Sequence, residues 1–506
     1  MSRPGPRPGA GATRYLAGAA CISIQPLLLN ALGIPVLAYI IRSLGPSAYG
    51  QFAVASSLTA TFSFLTNLGL RGTFVRSVAC EPESAPRAMA EQLGLRGLLG
   101  GMAAVAALLT AACLGYSPVI LRCTAIAAVG LIFTTLATTA GDLFQALHRL
   151  PVLATVNMVA GLMLTTASVV AVWMKTGPVG LSVAYLLGPV TAAVLSLALV
   201  QHRYFPVRLR WAPRRFRDLI AGSRYFMTQN IFMLDANAEM LLVPKLVGVS
   251  QFGLFSAGTM LVGRLMTIPD GLGTAFYPAM AQSYPRGREV ASREAARCLS
   301  LTLLVCAPLV VLAYSCAGAI ASILFPAQAD VCRQIICLTM WALPLAGIDH
   351  IMSQALNAAG RDAAQARLSA LAGACSLPLT VAFVARLGLI GACWSYVLRF
   401  AIRIAFRVPC FLQAFYPVLS RLPLARILAC NGVMAALMWA AHPAISALMS
   451  GAPLAVGSGR WLPALTALLV EGSLGMLGYG GALIALRVFV VADVARLLRS
   501  SRRLAS

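Results

Sequence analysis

Three cations stand where an apolar sequence rarely carries them. Arg264 falls in the middle of a long apolar run, and Arg42 and Lys245 lie near the ends of two others. A charge inside such a run must face water, a counter-charge or a polar cargo, because hydrocarbon excludes it at a cost of about 3 kcal/mol or more. Cations that face a hydrated space could hold an anion. Two carboxylates, Asp235 and Glu239, lie one helical turn apart on the preceding run and share a face. Asp235 sits at a depth similar to that of Arg264, which leaves two readings open: an ion pair within the bundle, or a cavity cation with or without that pair. For Arg42 and Lys245 the alternatives are snorkelling to the headgroups and lining the same cavity.

Neutral polar groups accompany these charges. Gln25 and Asn30, and likewise Gln229 and Asn230, could hydrogen-bond a hydroxyl-rich ligand or bridge neighbouring helices. Pro35 and Pro244 could act as bending points, with a static kink as the plainer alternative. Asp235 or Glu239 could carry a proton or coordinate sodium, and no coupling ion is assigned. Asp142, Asp349, His350 and Glu471 lie toward helix ends or in the last two helices and read as packing groups. No catalytic set and no metal site emerges: the Cys residues lie mostly within apolar runs, with no CxxC pair and no Cys/His cluster at metal spacing.

The elements that must position these side chains are membrane-spanning helices. The chain is 59% hydrophobic and 11% charged, with a mean hydropathy of +0.83. Those values exclude a soluble globular protein. About fourteen apolar runs reach the roughly 20 residues a helical crossing needs. They cover residues 15–41, 48–70, 93–114, 119–146, 151–174, 179–201, 219–246, 251–275, 299–324, 333–357, 366–385, 388–407, 425–448 and 462–486. Alternating strands of the outer-membrane barrel kind are absent from the sequence.

The net charge of +24 would suit a nucleic-acid partner, but the cations sit in the joints between apolar runs, where membrane topology puts them. With the N-terminus in the cytoplasm, about thirty Lys and Arg fall on the cytoplasmic side and about seven on the other. Both termini are then cytoplasmic. The basic joints run from Arg71 to Arg96, Arg203 to Arg217, Arg286 to Arg297 and Arg399 to Arg426, with a basic tail from Arg487 to Arg503. Glu81 to Arg96 and Arg286 to Arg297 read as short helices lying at the headgroup surface. His202 to Asp218 reads as a linker pressed against anionic headgroups. The opposite joints are too short to hold a folded domain.

The chain repeats itself. LGPSAYGQFAVA at Leu44 to Ala55 is echoed by VGVSQFGLFSAG at Val247 to Gly258, so that Gly45 answers Gly248, Tyr49 answers Phe252 and Phe52 answers Phe255 at one offset of 203. The same offset sets Arg42 on Lys245, Ala88 on Ala291 and Glu91 on Glu294. A duplicated unit of six crossings follows, as a parallel repeat. The expected organisation is an N-terminal tail (1–14), an N-lobe (15–217), a C-lobe (218–420) and a C-terminal helix pair with a basic tail (421–506).

The hairpin LGPSAYGQFAVASS with its following NLGL, and the second-half LDANAEMLLVPKLVGVSQFGLFSAG followed by IPDGLGTAFYPAMAQ, resemble the Wzx-type polysaccharide flippases of the multidrug/oligosaccharidyl-lipid/polysaccharide (MOP) exporter superfamily. The resemblance implies an all-α, V-shaped fold of two six-helix lobes. It implies alternating access that moves an undecaprenyl-pyrophosphate-linked oligosaccharide across the bacterial inner membrane for surface polysaccharide biosynthesis, alongside a polymerase and chain-length machinery. Such a carrier is not an enzyme and needs no cofactor. In lipid II flippases of this superfamily an added helix pair forms a groove for the lipid tail, a role that Ile427–Leu448 and Leu462–Leu486 would take here by analogy. Three alternatives stand beside this reading: a MATE-like exporter of small molecules, a lipid II flippase, and a membrane glycosyltransferase or polymerase. The first differs by the sign of its cavity, and the last by a need for soluble segments that this chain lacks.

Overall fold

The computed structural model describes residues 8–66, 68–147, 149–208, 234–416, 422–450 and 461–485, together with 210, 216, 219 and 418. The described elements are helical, and ten helical stretches among them are long and apolar enough to cross a membrane. The chain divides into two compact units, Met1–Lys245 with Leu497–Ser506, and Leu246–Arg496.

In the first unit α1 (Pro8–Phe62) carries the first two expected crossings as one element, interrupted at Gly45. A short α2 (Leu70–Cys80) precedes α3 (Ala85–Cys113), α4 (Pro118–Ala146), α5 (Leu150–Trp173) and α6 (Gly177–Arg203). At the end of the bundle that carries the basic joints, Phe74, Val78, Met89, Leu93, Leu143, Phe144 and Val200 form a closed core. α7 (Leu234–Val247) ends at the division between the units.

The second unit holds α8 (Val249–Ser283), α9 (Arg288–Leu324), α10 (Ala329–Thr339), α11 (Ala342–Ala358), α12 (Asp362–Phe415), α13 (Leu424–Ser450) and α14 (Trp461–Ala485). The tenth expected crossing is broken between α10 and α11. α12 joins the eleventh and twelfth across a break at Gly388. Its core beside the basic joints is built from Met280, Leu299, Ile351, Met352, Phe411 and Phe415.

The repeat is visible in the backbone. Gly45 takes φ 75, ψ 171 and Gly248 takes φ 92, ψ 156, a region essentially reserved for glycine. A glycine at this point lets one apolar helix end and the next begin without a loop. The rings one turn beyond pack alike: Tyr49 and Phe52 have centroids 6.2 Å apart at 43°, Phe252 and Phe255 6.3 Å apart at 39°.

A second echo, at an offset of 211, joins α6 to the last half of α12. Gly177 (φ 70) matches Gly388 (φ 58), Gly180 matches Gly391, and Tyr185 matches Tyr396. Tyr185 meets Phe52 edge-on at 4.7 Å, and Tyr396 meets Phe255 edge-on at 6.2 Å. Each unit therefore pins its opening hairpin to its sixth crossing through one aromatic pair.

Three joints differ from expectation. Glu81 to Arg96 is no separate surface helix, because a 3-10 turn at Pro82–Ser84 leads straight into α3 and the residues from Met89 to Arg96 are buried. Likewise α9 begins at Arg288, just after Gly287 (φ 114), and runs on into its crossing. The described part of the linker after α6 docks on protein: the Arg210 amide donates to the Ala90 carbonyl at 3.2 Å, and Phe216 packs with Leu68, Leu70, Leu95 and Leu99. Gly94 makes this possible, since a Cβ there would lie 2.5 Å from the Arg210 carbonyl oxygen.

The last two helices pack on each other and on α9. A Cβ at Gly475 would meet Met438 at 2.7 Å, and one at Gly478 would meet Leu437 at 2.5 Å. Such close approach is how helices associate where lipid removes the hydrophobic drive. The Tyr479 hydroxyl donates to the Leu304 carbonyl at 2.8 Å and ties α14 to α9.

Candidate functional site

Charge is buried deep in both units. In the first, Arg96 of α3 donates to Asp142 of α4 at 2.8 Å and reaches Thr139 at 3.4 Å. Arg71 of α2 approaches the other Asp142 oxygen at 3.2 Å and donates to Gln145 at 2.8 Å. In the second, Asp349 of α11 meets Arg407 in an ion pair, with Arg403 at 3.9 Å, both on α12. Arg407 also donates to the Ser369 hydroxyl at 2.8 Å. A buried carboxylate persists as an ion only where partners replace its water, and each unit supplies two arginines. Asp142 and Asp349 thus have the packing role their positions suggested.

Arg399, Arg403 and Arg407 recur every four residues on one face of α12, and all three are buried. Arg399 lies over the Tyr396 ring at 4.2 Å and the Phe400 ring at 4.7 Å. The sequence reading counted these three twice, in the twelfth crossing over 388–407 and in a basic joint from Arg399 to Arg426. The structure keeps the crossing and corrects the joint, because all three stand within the helix. The signal that marks them is the four-residue period with apolar residues between, VLRFAIRIAFRV, which is a helix face and no joint.

The expected cations divide by environment. Arg264 lies midway along α8, half-buried, with its carbonyl accepting from Thr267 at 2.8 Å. Arg42 is exposed. Lys245 is exposed as a residue, yet its Nζ stands 4.2 Å above the ring of Tyr116, in the joint between α3 and α4. Burial pushes the Tyr116 hydroxyl up to about 12, so the ring stays neutral under the ammonium. Gln25 and Asn30 are half-buried on α1. Asp235 and Glu239 lie within α7, with side chains outside the described part, and Gln229 and Asn230 lie outside the described residues. Pro35 keeps a helical backbone in α1, whose interior break is at Gly45, and Pro244 is buried in α7.

His350 and Glu471 also find protein partners. His350 Nδ1 stands 3.5 Å from Asp270, and Glu471 accepts from Cys316 at 3.9 Å. An apolar groove of about 900 Å³ is lined from α9, α10, α11 and α13, with Arg333 at its wall. There the Trp341 indole donates to the Tyr314 hydroxyl at 2.8 Å.

The family model "Polysaccharide biosynthesis protein" matches residues 15–284, and the model "MatE" matches residues 226–382. No curated protein matches the sequence. Among solved structures, the lipid II flippase MurJ in an inward closed conformation is similar at a TM-score of 0.68 and 13% identity, covering 92% of this chain and 98% of its own. An inward-facing MATE family multidrug resistance transporter of the MOP superfamily is similar at 0.62 and 15%, covering 79% and 98%. A MOP superfamily transporter from Pyrococcus furiosus, described as having a binding pocket of reverse polarity, follows at 0.55 and 14%, covering 82% and 97%. The fold is therefore that of the MOP superfamily, and the chain is a multi-span membrane protein. It belongs to the polysaccharide biosynthesis protein family.

Proposed function

We propose that the protein is a flippase that carries a polyprenyl-pyrophosphate-linked oligosaccharide across the bacterial inner membrane by alternating access. The observation that carries the proposal is Arg264, a half-exposed cation midway along an apolar membrane helix. A cation at that depth must face a counter-charge, water or a polar cargo, and with or without a protein partner it could meet a pyrophosphate entering a hydrated space. Arg42 and Lys245, at equivalent places in the two copies of the hairpin, join it in accepting the pyrophosphate. Gln25, Asn30, Gln229 and Asn230 meet the sugars, and Pro35 and Pro244 bend as the carrier opens. Asp235 and Glu239 provide a face for a coupling H+ or Na+. Both termini lie in the cytoplasm, and a polymerase with its chain-length machinery takes the delivered oligosaccharide. The groove between α9 and α13 offers an apolar surface for the polyprenyl chain. Translocation needs no bond to be made or broken by the protein, so we assign it no catalytic residue.

The test is Arg264→Ala at normal protein level. The expected outcome is loss of the surface polymer with its lipid-linked precursor retained on the cytoplasmic leaflet. Normal surface polymer would remove Arg264 from the mechanism. The MatE match and the acidic pair on α7 favour a second reading, export of a small cation. Under that reading Asp235→Asn would abolish transport and Arg264→Ala would spare it.

A further inference from the structure

The first unit contains an open cavity of about 210 Å³, lined by the second limb of α1, by α4 and by α6, whose walls are mostly apolar with hydroxyls among them. Its lining includes the hydroxyl residues Ser56, Thr59, Ser63, Thr134, Ser182 and Tyr185, beside the ring of Phe52. The described lining includes no charged side chain. A pyrophosphate would find no countercharge there.

The cavity has an origin in the repeat. At the offset of 211 that sets Tyr185 on Tyr396, Gly188 answers Arg399 and Pro189 answers Phe400. In the second unit the Arg399 guanidinium covers the Tyr396 ring at 4.2 Å, and Phe400 meets the same ring edge-on at 6.2 Å. In the first unit a pyrrolidine ring, Pro189, stands where the second has Phe400 and forms part of the wall, while the backbone of Gly188 packs against Leu164 of α5. Where one copy sets a phenyl ring beside its tyrosine, the other sets only the smaller proline ring at the cavity wall.

The polarity of the opening is specific. Thr59 donates its proton to the carbonyls of Ala55 and Ser56, Thr134 to that of Gly130 and Ser182 to that of Pro178, at 2.9 to 3.2 Å. With the protons committed to their own helices, the Thr59 and Thr134 oxygens offer lone pairs, and that of Ser182 also meets the Cys123 thiol. Such acceptors suit a ligand with O–H donors, and the uncharged wall gives an anion no countercharge. The Phe52 and Tyr185 rings, edge to face at 4.7 Å, give an apolar platform beside it. A pyranose matches both, with C–H faces for the rings and hydroxyls around its rim. The volume is about seven times the roughly 30 Å³ share of one water and lies below the usual range for drug-sized ligands. It admits one sugar ring.

We propose that this cavity is a monosaccharide subsite that receives one uncharged pyranose unit of the carried oligosaccharide. The inference rests on the flippase reading for its cargo, while the site itself can be tested alone. The full-length protein in lipid nanodiscs is offered methyl glycosides of glucose, galactose, mannose and N-acetylglucosamine, and contact is read by saturation-transfer NMR. At least one glycoside is expected to show transfer. Gly130→Leu fills the cavity from α4, where a Cβ would meet only Leu186, at an ordinary 3.5 Å. It should weaken binding about tenfold or more. Ser182→Ala removes one acceptor without filling space and should weaken it by a smaller factor, which keeps the test decisive if the leucine variant folds poorly. Transfer to none of the four glycosides, or equal transfer in the wild type and both variants, overturns the subsite. Loss of export in Arg264→Ala together with unaltered sugar contact in the cavity variants would sink the subsite and leave the flippase standing. Sugar contact that depends on the cavity, in a protein whose absence causes no precursor to accumulate, would keep the subsite and sink the flippase.

Discussion

Arg96 and Asp142 face each other across 2.8 Å from neighbouring helices, with side chains only 2% and 7% exposed. Removing one member leaves the other charged and without its main partner in a place water barely reaches, which costs about 3–5 kcal/mol. Arg96→Ala should therefore lower the yield and thermal stability of purified protein sharply. Replacing both, as Arg96→Met with Asp142→Leu, should restore most of the loss. Equal stability of the single and double variants would show the pair to be incidental.

The hairpin glycines make a purely backbone prediction. A Cβ at Gly45 or Gly248 would meet nothing within 4 Å, so an alanine suffers from φ alone. Each Gly→Ala change should cost about 1–3 kcal/mol. The two costs should add in the double variant, because the residues lie in separate units. Thermal unfolding in detergent reads both, and a neutral Gly45→Ala would mean that the helices can join without this conformation.

Tyr116 lies under the Lys245 ammonium, and its buried hydroxyl has no hydrogen-bond partner among the described residues. Tyr116→Phe should be neutral or stabilising by about 1 kcal/mol, since it removes an unsatisfied group and keeps the ring. The pH dependence follows from the same burial. The unfolded phenol ionises near 10.0 and the folded one near about 12. Stability from this group is complete below pH 10 and is lost as pH rises toward 12. The phenylalanine variant should not show that loss between these values, and an identical alkaline profile for both proteins would refute the assignment.

The three arginines on α12 predict a graded response. Arg407 is the member paired most directly with Asp349, so Arg407→Ala should reduce folded protein more than Arg399→Ala, whose aromatic contacts contribute about 2 kcal/mol against about 3–5 kcal/mol for breaking a buried ion pair. Expression measured by fluorescence-detected gel filtration ranks them. The reverse order would place the structural weight on the aromatic end of the ladder.

What the sequence disclosed depended on how each signal is written. The hairpin repeat was legible because Gly45, Tyr49 and Phe52 keep one offset from Gly248, Phe252 and Phe255. The second echo escaped that comparison, because eight more residues separate the matching elements in the second copy and the register becomes 211. Tyr185 and Tyr396 then look unrelated until their contacts with Phe52 and Phe255 are seen. Arg96 and the α12 arginines fell in both a crossing (93–114, 388–407) and a basic joint for a physical reason: in a chain this apolar, charge marks joints by default, and only tertiary partners such as Asp142 and Asp349 show that a helix interior can hold it. The docked linker was illegible for the same reason, since basic residues facing headgroups and basic residues facing α3 are written alike.

The central claim is that an anionic lipid-linked glycan is the cargo. The most direct measurement is the mass spectrum of polyprenyl-linked material from cells lacking this protein, compared with cells carrying the wild type or Arg264→Ala. The account predicts one accumulated polyprenyl-pyrophosphate oligosaccharide in both the null and the Arg264→Ala cells, cleared by the wild type. An unchanged lipid-linked pool in the null cells would contradict it.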